Sequence, residues 1–486
     1  MGIVGNTGIS VPTTTLNQND LAAQENLLSR LDRVPVNRHI LFLVGLLGVI
    51  WILEAFDIGI IAPVLFLVKN VWQLSPSATG VVGSAGTLGI VLGLLPAGRL
   101  ADRFGRKPVL IGGIIVFSIV TFAASFSQNA TQLAIYRFIA GLGQGAVFPV
   151  PYLLLSEFVN KQWRGTAVGL ANSLLGFSYG LNTLVGALVV GHMPDSQAWG
   201  TLLMIGGAPI LIVPFIIAFL PESPRFLLKV GKIGTVRTFV EKLEDLSHVP
   251  HDETLTDQTS LKILEATAQR RVSIIDLFRY PYAMRCVVAY LALLSPFVCF
   301  YVITIYGPSI IQRMGAGKED ALYYTSGLLF LTVISTAIAG AVGDKISRRW
   351  GLVIIMTITA IGLVALGAPL PRAGIVAAAI VVWAFDYAGF PLAKLYMAEQ
   401  FPTRLRATGS MLGESITRFL GGVVLVYLFP VMSAVMDSST LYLILAVLTV
   451  LCILPIWILG FQTSGVSVEQ TGTDLAALAK MESQKS

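Results

Sequence analysis

The sequence predicts an all-α membrane protein with twelve transmembrane helices in two six-helix halves. Composition is the first reason: 55% of the 486 residues are hydrophobic and 12% are charged, about half the charge of an ordinary soluble chain. Distribution is the second. The apolar residues fall in long continuous runs, and the mean hydropathy is +0.77. The third is one long polar stretch, 222–283, with six apolar runs on either side of it.

A bilayer core takes about 20 apolar residues per helix. Runs of that kind cover 40–68, 79–98, 108–127, 131–156, 166–191, 199–220, 284–308, 322–343, 350–371, 374–398, 407–434 and 440–461. The expected organisation is a tail over 1–39, a bundle over 40–221, a linker over 222–283, a second bundle over 284–461 and a tail over 462–486. Residues 1–25 and roughly the last 20 read as disordered because they are polar. The linker balances acids against bases and reads as solvated, with short helices at most. The first apolar run is too long for a signal-peptide core, so it is expected to remain as the first span. Cys286, Cys299 and Cys452 sit inside apolar runs and read as small buried side chains without metal-type spacing.

Lys and Arg in the short loops set orientation. Arg99, Arg103, Arg106, Lys107, Lys161, Arg164, Lys345, Arg348, Arg349, Arg404 and Arg406 fall on one side of the twelve runs. Only Lys69, Arg313, Lys318 and Arg372 fall on the other. The first set, the linker and both termini are therefore expected in the cytoplasm of a plasma or inner membrane. The net charge of +6 belongs to these turns, not to one soluble face, which removes nucleic acid as a partner.

A repeat supports the division into halves. Gly98-Arg99-Leu100-Ala101-Asp102-Arg103-Phe104-Gly105-Arg106-Lys107 follows the second run, and Gly340-Ala341-Val342-Gly343-Asp344-Lys345-Ile346-Ser347-Arg348-Arg349 follows the eighth. Glycine, acid and three bases keep the same offsets. Parallel halves of this kind are one known transporter design. Residues Gly98 to Lys107 resemble the signature loop of the major facilitator superfamily, and Arg137-x3-Gly141-x-Gly143-x-Gly145 resembles its second motif. Pro221-Glu222-Ser223-Pro224-Arg225-Phe226 is similar to the marker of the sugar porters and related branches. The resemblance covers roughly residues 30–460.

Three further features resemble the aromatic-acid and nicotinate permeases and their synaptic-vesicle-protein and organic-ion relatives. These are Leu31-Asp32-Arg33-Val34-Pro35-Val36-Asn37-Arg38, the pair Glu54 and Asp57, and Phe401-Pro402-Thr403-Arg404 leading to Arg418-Phe419-Leu420-Gly421-Gly422. Sugar porters close the last span with Pro-Glu-Thr, where this chain has Phe461-Gln462-Thr463. A sugar is therefore not the expected substrate.

Ionisable side chains at depth are functional candidates, because each costs about 2.5–3.5 kcal/mol or more at a helix centre. Asp57 lies mid-span, and Glu54 shares its helix face. Two such carboxylates suit a proton carrier. Arg137 in the fourth run is the expected partner of Asp57, with snorkelling to the interface as the alternative. The resemblance implies that this acid–base pair is a protonation switch. Arg418 lies near the midplane of the eleventh run, with Glu414 one turn before it. Its forked guanidinium suits a substrate carboxylate that competes with Glu414. Asp386 is expected as a second proton site or a partner of Arg418, and Lys394 as a snorkelling residue.

Tyr301 and Tyr306 in the seventh run, with Asn172, Ser178, Tyr179 and Asn182 in the fifth, complete the expected cavity lining. Gly307-Pro308 should weaken its helix and permit a bend. The glycines of the fourth run suit close helix packing, since a phosphate loop would need a lysine and a preceding strand. The resemblance implies a cytoplasmic gate built from Gly98, Asp102, Arg103, Arg106, Glu157, Arg164, Asp344, Arg348, Arg349, Glu399 and Arg404, with ion pairs between helices that hold that side shut.

An enzyme is not expected. The four histidines, at 39, 192, 248 and 251, lack metal-ligand spacing, and there is no Walker lysine or nucleophile elbow. A sensor would carry a longer signalling tail. What remains is a proton-coupled symporter working by alternating access as a monomer without cofactors. Its expected substrate is a small organic anion such as an aromatic monocarboxylate. The alternatives are a sugar or polyol, or an organic cation.

Overall fold

A computed structural model describes residues 18–252, 277, 282–343, 347–401 and 403–460. Asp344 and the side chains of Arg164, Asn172 and Arg404, all named above, lie outside the described residues. Among the described residues, twelve helices are long and apolar enough to span a membrane. Each matches one of the twelve runs, with ends displaced by a few residues.

Several spans are broken, and the breaks follow proline. The first span is α2 (Arg38–Gly59) followed by α3 (Ile61–Val71). Pro63 cannot donate to the carbonyl one turn earlier, so the ladder is interrupted near Ile60. The second and third spans are α4 (Pro76–Phe104) and α5 (Arg106–Ala124). The fourth breaks at Phe148, between α6 (Ala130–Val147) and α7 (Pro149–Phe158), where Pro149 starts the new helix. The fifth is α8 (Lys161–Val190), and the sixth is α9 (Asp195–Gly206), a 3₁₀ turn (Ala208–Ile212) and α10 (Val213–Phe219).

Two short helices follow, α11 (Pro224–Lys229) and α12 (Ile233–Ser247). The seventh span is α13 (Tyr282–Ile305), and α14 (Gly307–Arg313) continues it beyond the expected break at Gly307-Pro308. Then come α15 (Lys318–Gly343), α16 (Arg348–Gly367) and α17 (Arg372–Glu399). The eleventh span runs from α18 (Thr403–Arg418) through a π-helical stretch (Phe419–Leu425) to α19 (Val426–Val435). The twelfth is α20 (Ser438–Leu459).

Glycine sets the closest packing. A Cβ at Gly89 would stand 2.1 Å from the Phe138 carbonyl oxygen, and one at Gly141 would stand 2.1 Å from that of Gly86. Helices α4 and α6 therefore touch backbone to backbone, as the fourth-run glycines predict. The halves meet along two seams. Gly176 and Gly180 of α8 face Thr332 and Phe330 of α15, and Gly80 of α4 abuts the Tyr427 backbone of α19. Outward side chains such as Leu41, Leu95 and Ile361 are left exposed, the surface a bilayer would cover.

Two expectations need correction. Residues 18–25 are not disordered: they begin α1 (Gln18–Arg33), which packs on α12. Nor is the first part of the linker merely solvated, since Val236, Val240 and Leu243 are fully buried. Arg30 and Glu244 form an ion pair with both side chains buried, at 3.0 Å and 2.6 Å through two hydrogen bonds. Asn37 Nδ2 donates to Ser247 Oγ at 2.8 Å, and Asn160 Nδ2 donates to the Val34 carbonyl at 3.1 Å. A polar sequence has buried one apolar stripe here, which a search for long apolar runs does not detect.

Candidate functional site

The first span carries both acids, but Glu54 lines a chamber while Asp57 is held behind the Arg137 and Gln144 that line another. Asp57, fully buried, meets Arg137, whose Nη1 donates to Oδ1 and Oδ2 at 3.3 Å. Nη2 of Arg137 donates to the Asp57 carbonyl at 3.0 Å. Gln144 Nε2 also donates to Asp57 Oδ2. Arg137 is 2% exposed, so it pairs inside the protein and does not snorkel. Gln144 was hidden in the sequence between two packing glycines, and only the register of α6 aims it at Asp57. Arg137 and Gln144 line a chamber whose wall includes Tyr179, Phe300 and Tyr301.

Glu54 opens into a second, central chamber lined also by Phe148, Tyr179, Phe297, Lys394 and Arg418. Both of its buried oxygens lack a hydrogen-bond partner, and Arg418 acts on it only through space. Tyr179 and Phe300 line both chambers and meet edge to face at 5.6 Å. They form the partition between the Asp57–Arg137 pair and the central cavity.

Arg418 closes α18 immediately before the π-helical stretch. Wide π turns are frequent at functional sites, and this one lets Gly421 and Gly422 press against Phe297 and Tyr301. The guanidinium is held on three sides. Nε and Nη2 donate to Glu414 Oε1 at 3.1 Å and 2.9 Å, and Nη1 donates to the Tyr301 hydroxyl at 2.9 Å. Its carbon sits 4.1 Å from the Phe148 ring centroid, a cation–π contact reaching across to the first half. Lys394 lies over the Phe148 and Tyr152 rings, 3.9 Å from Glu414. It lines the cavity, against the snorkelling expected of it. Phe148 and Tyr152 carry no charge and gave no sequence signal.

Four expected cavity residues stand elsewhere. Asp386 is fully buried, makes no hydrogen bond, and is neither in the central cavity nor a partner of Arg418. Tyr306 donates to the Val426 carbonyl at 2.9 Å and stacks on Phe429, sealing the end away from the basic loops. Asn182 packs on Gly59 beside the break in the first span, where a Cβ would collide with its amide. Ser178 Oγ donates to the Ile52 carbonyl at 2.5 Å, a helix contact.

At the basic-loop end, the pairs among the described residues staple each half. Arg106 pairs with Glu157, and Arg348 pairs with Glu399. Lys107 Nζ donates to the Ile217 carbonyl at 2.8 Å, while Arg349 Nε donates to the Ile456 carbonyl at 3.0 Å. The repeat read in the sequence is thus repeated contact by contact, tying spans 3, 4 and 6 in one half and 9, 10 and 12 in the other. Glu222 of the Pro-Glu-Ser run accepts from the Arg106 and Lys107 amides at 3.0 Å and 3.2 Å, capping α5. Gly105 gives it room with φ of +99°. Asp102 and Arg103 are exposed, and a Cβ at Gly98 would only reach ordinary contact with Met411 across the interface. Among the described residues no ion pair crosses between the halves at this end.

Comparisons with known proteins agree with this architecture. Residues 43–475 match the sugar (and other) transporter family. The niacin transporter NiaP of Acinetobacter baylyi is 27% identical over 92% of this chain and 100% of its own length. The 4-hydroxybenzoate transporter PcaK of Pseudomonas putida is 29% identical over 83% of this chain and 88% of its own. Among solved structures, a partially occluded, inward-open form of the xylose transporter XylE from E. coli superimposes with a TM-score of 0.73. It is 18% identical, over 88% of this chain and 99% of that one. With twelve spans in two stapled halves, and a family match running from the first span past the last, the chain belongs to the sugar (and other) transporters of the major facilitator superfamily and is a transporter, not an enzyme.

Proposed function

We propose that this transporter carries a small aromatic or heteroaromatic monocarboxylate into the cell with protons, by alternating access as a monomer. The basic loops and both termini then face the cytoplasm. The observation that supports this most is Arg418, a guanidinium in an aromatic-walled cavity bordered by both halves. A substrate carboxylate replaces Glu414 and Tyr301 on the fork, while its ring meets Phe297, Phe300 or Tyr179. Lys394 stands ready to keep Glu414 neutralised when Arg418 changes partner. The similarity to niacin and 4-hydroxybenzoate transporters favours the same substrate class.

Protons travel on the acids of the first span. Protonating Asp57 frees Arg137 from a pair whose rupture costs about 3–5 kcal/mol while one charge stays buried and unpaired. Glu54 has no hydrogen-bond partner, so a proton is the simplest way to neutralise it.

The test is uptake of radiolabelled nicotinate and benzoate into liposomes under an inward proton gradient. Arg418→Gln should abolish it, and Arg418→Lys should weaken binding by roughly 10-fold or more, because a point charge replaces a fork. Asp57→Asn should end accumulation yet spare part of the counterflow exchange. An amine that accumulates in place of the acids, with Arg418→Gln sparing it, would overturn the substrate class.

A further inference from the structure

A third cavity lies between the halves at the end away from the basic loops. Lys69 at the end of α3 and Arg313 at the end of α14 both line it, one from each half. No Asp or Glu lines it. The other two candidate bases at this end do not, and one of them, Lys318, is already paired with Asp195. Among the described residues neither Lys69 nor Arg313 has an acidic partner. The polar contact of Arg313 is a long one, Nη2 to Ser433 Oγ at 3.5 Å. The remaining wall is aromatic and hydroxylic, with Phe66, Tyr306, Phe429 and Ser309.

Two like charges from opposite halves line this cavity at the end where the Gly80–Tyr427 backbone contact holds the halves together. Closing this end therefore works against repulsion, and an anion between the two bases turns repulsion into attraction. We propose that this cavity is a second binding site, for a small carboxylate of benzoate size that bridges Lys69 and Arg313 with its ring against Phe66 or Phe429. It shares no lining residue with the central cavity around Arg418. A ligand that bridges the two halves binds the closed form of this end better than the open form, and so shifts the population toward closure. High substrate on this side then slows reopening, and uptake falls after passing through a maximum.

The experiment is equilibrium binding of radiolabelled benzoate to the full chain in nanodiscs, in low-salt, chloride-free buffer, because salt screens a partly exposed pair. Two equivalents per chain are expected for the wild type. One is expected to remain in Arg418→Gln and one in the Lys69→Gln, Arg313→Gln double variant, whose affected site weakens by roughly 10- to 100-fold. Lys69→Arg should retain two. The proposal is overturned if Arg418→Gln leaves no binding, if the double variant keeps two equivalents, or if no variant binds benzoate. If the wild type binds one equivalent, lost only in the double variant, this site stands and the central aromatic-acid reading falls.

Discussion

Glu414 accepts both hydrogen bonds of one edge of Arg418 and lies 3.9 Å from Lys394, so three charges cluster where Arg418 and Lys394 line the cavity. Depth in the sequence did not reveal this. Lys394 is five residues from the end of α17, where its length allows a route to solvent, yet it turns inward over two aromatic rings. Asp386 makes the converse case. Its central position in the tenth run singles it out, but the helix face it occupies turns it into the second half. Asp386→Asn should therefore leave benzoate affinity within about twofold of wild type, inside the usual scatter for a site away from the ligand. A titration showing a loss of tenfold or more would mean that Asp386 reaches the cavity in another state. The Asp57–Arg137 and Glu414–Arg418 pairs were legible because an intramembrane charge must find a partner. Gln144, Phe148 and Tyr152 were not, because an uncharged side chain in a span reads as packing until its neighbours are known.

At the level of elements, apolar runs mark spans well and mark everything else poorly. All twelve spans were legible, and so was the bend at Gly307-Pro308. The α1–α12 pairing was not. Each helix buries only a stripe, and the deciding contact is between residues 214 positions apart, Arg30 and Glu244. Removing one partner of such a pair leaves a buried charge and costs about 3–5 kcal/mol, whereas replacing both with apolar residues costs far less. Arg30→Ala should loosen α1 from α12, seen as faster trypsin cleavage after Arg33 and Arg38. The Arg30→Met, Glu244→Leu double variant should restore most of the resistance. Equal cleavage in the wild type and Arg30→Ala would show that the pair does not hold the helix.

For the whole molecule, the seal away from the basic loops depends on a backbone contact that no side chain can enter. A Cβ at Gly80 would stand 2.5 Å from the Tyr427 carbonyl oxygen. Gly80→Val should hold the halves apart there and favour the state open to that side. Thiol labelling of a cysteine placed at Thr87, in the chamber below, should rise several-fold relative to the same cysteine with Gly80 intact, as a population shift of about 1 kcal/mol implies. Unchanged labelling would mean that α4 yields elsewhere.

The matching staples of Arg106 and Arg348 also bear on how such a chain could arise and be built. Each six-helix unit carries its own fastening, made from residues at equivalent places in the repeat. A single ancestral gene for one unit, copied and joined end to end, would have kept its fastening at every stage. The same economy suits synthesis at the ribosome: the first unit can lock its basic-loop end before the second has been translated, and the two need only dock.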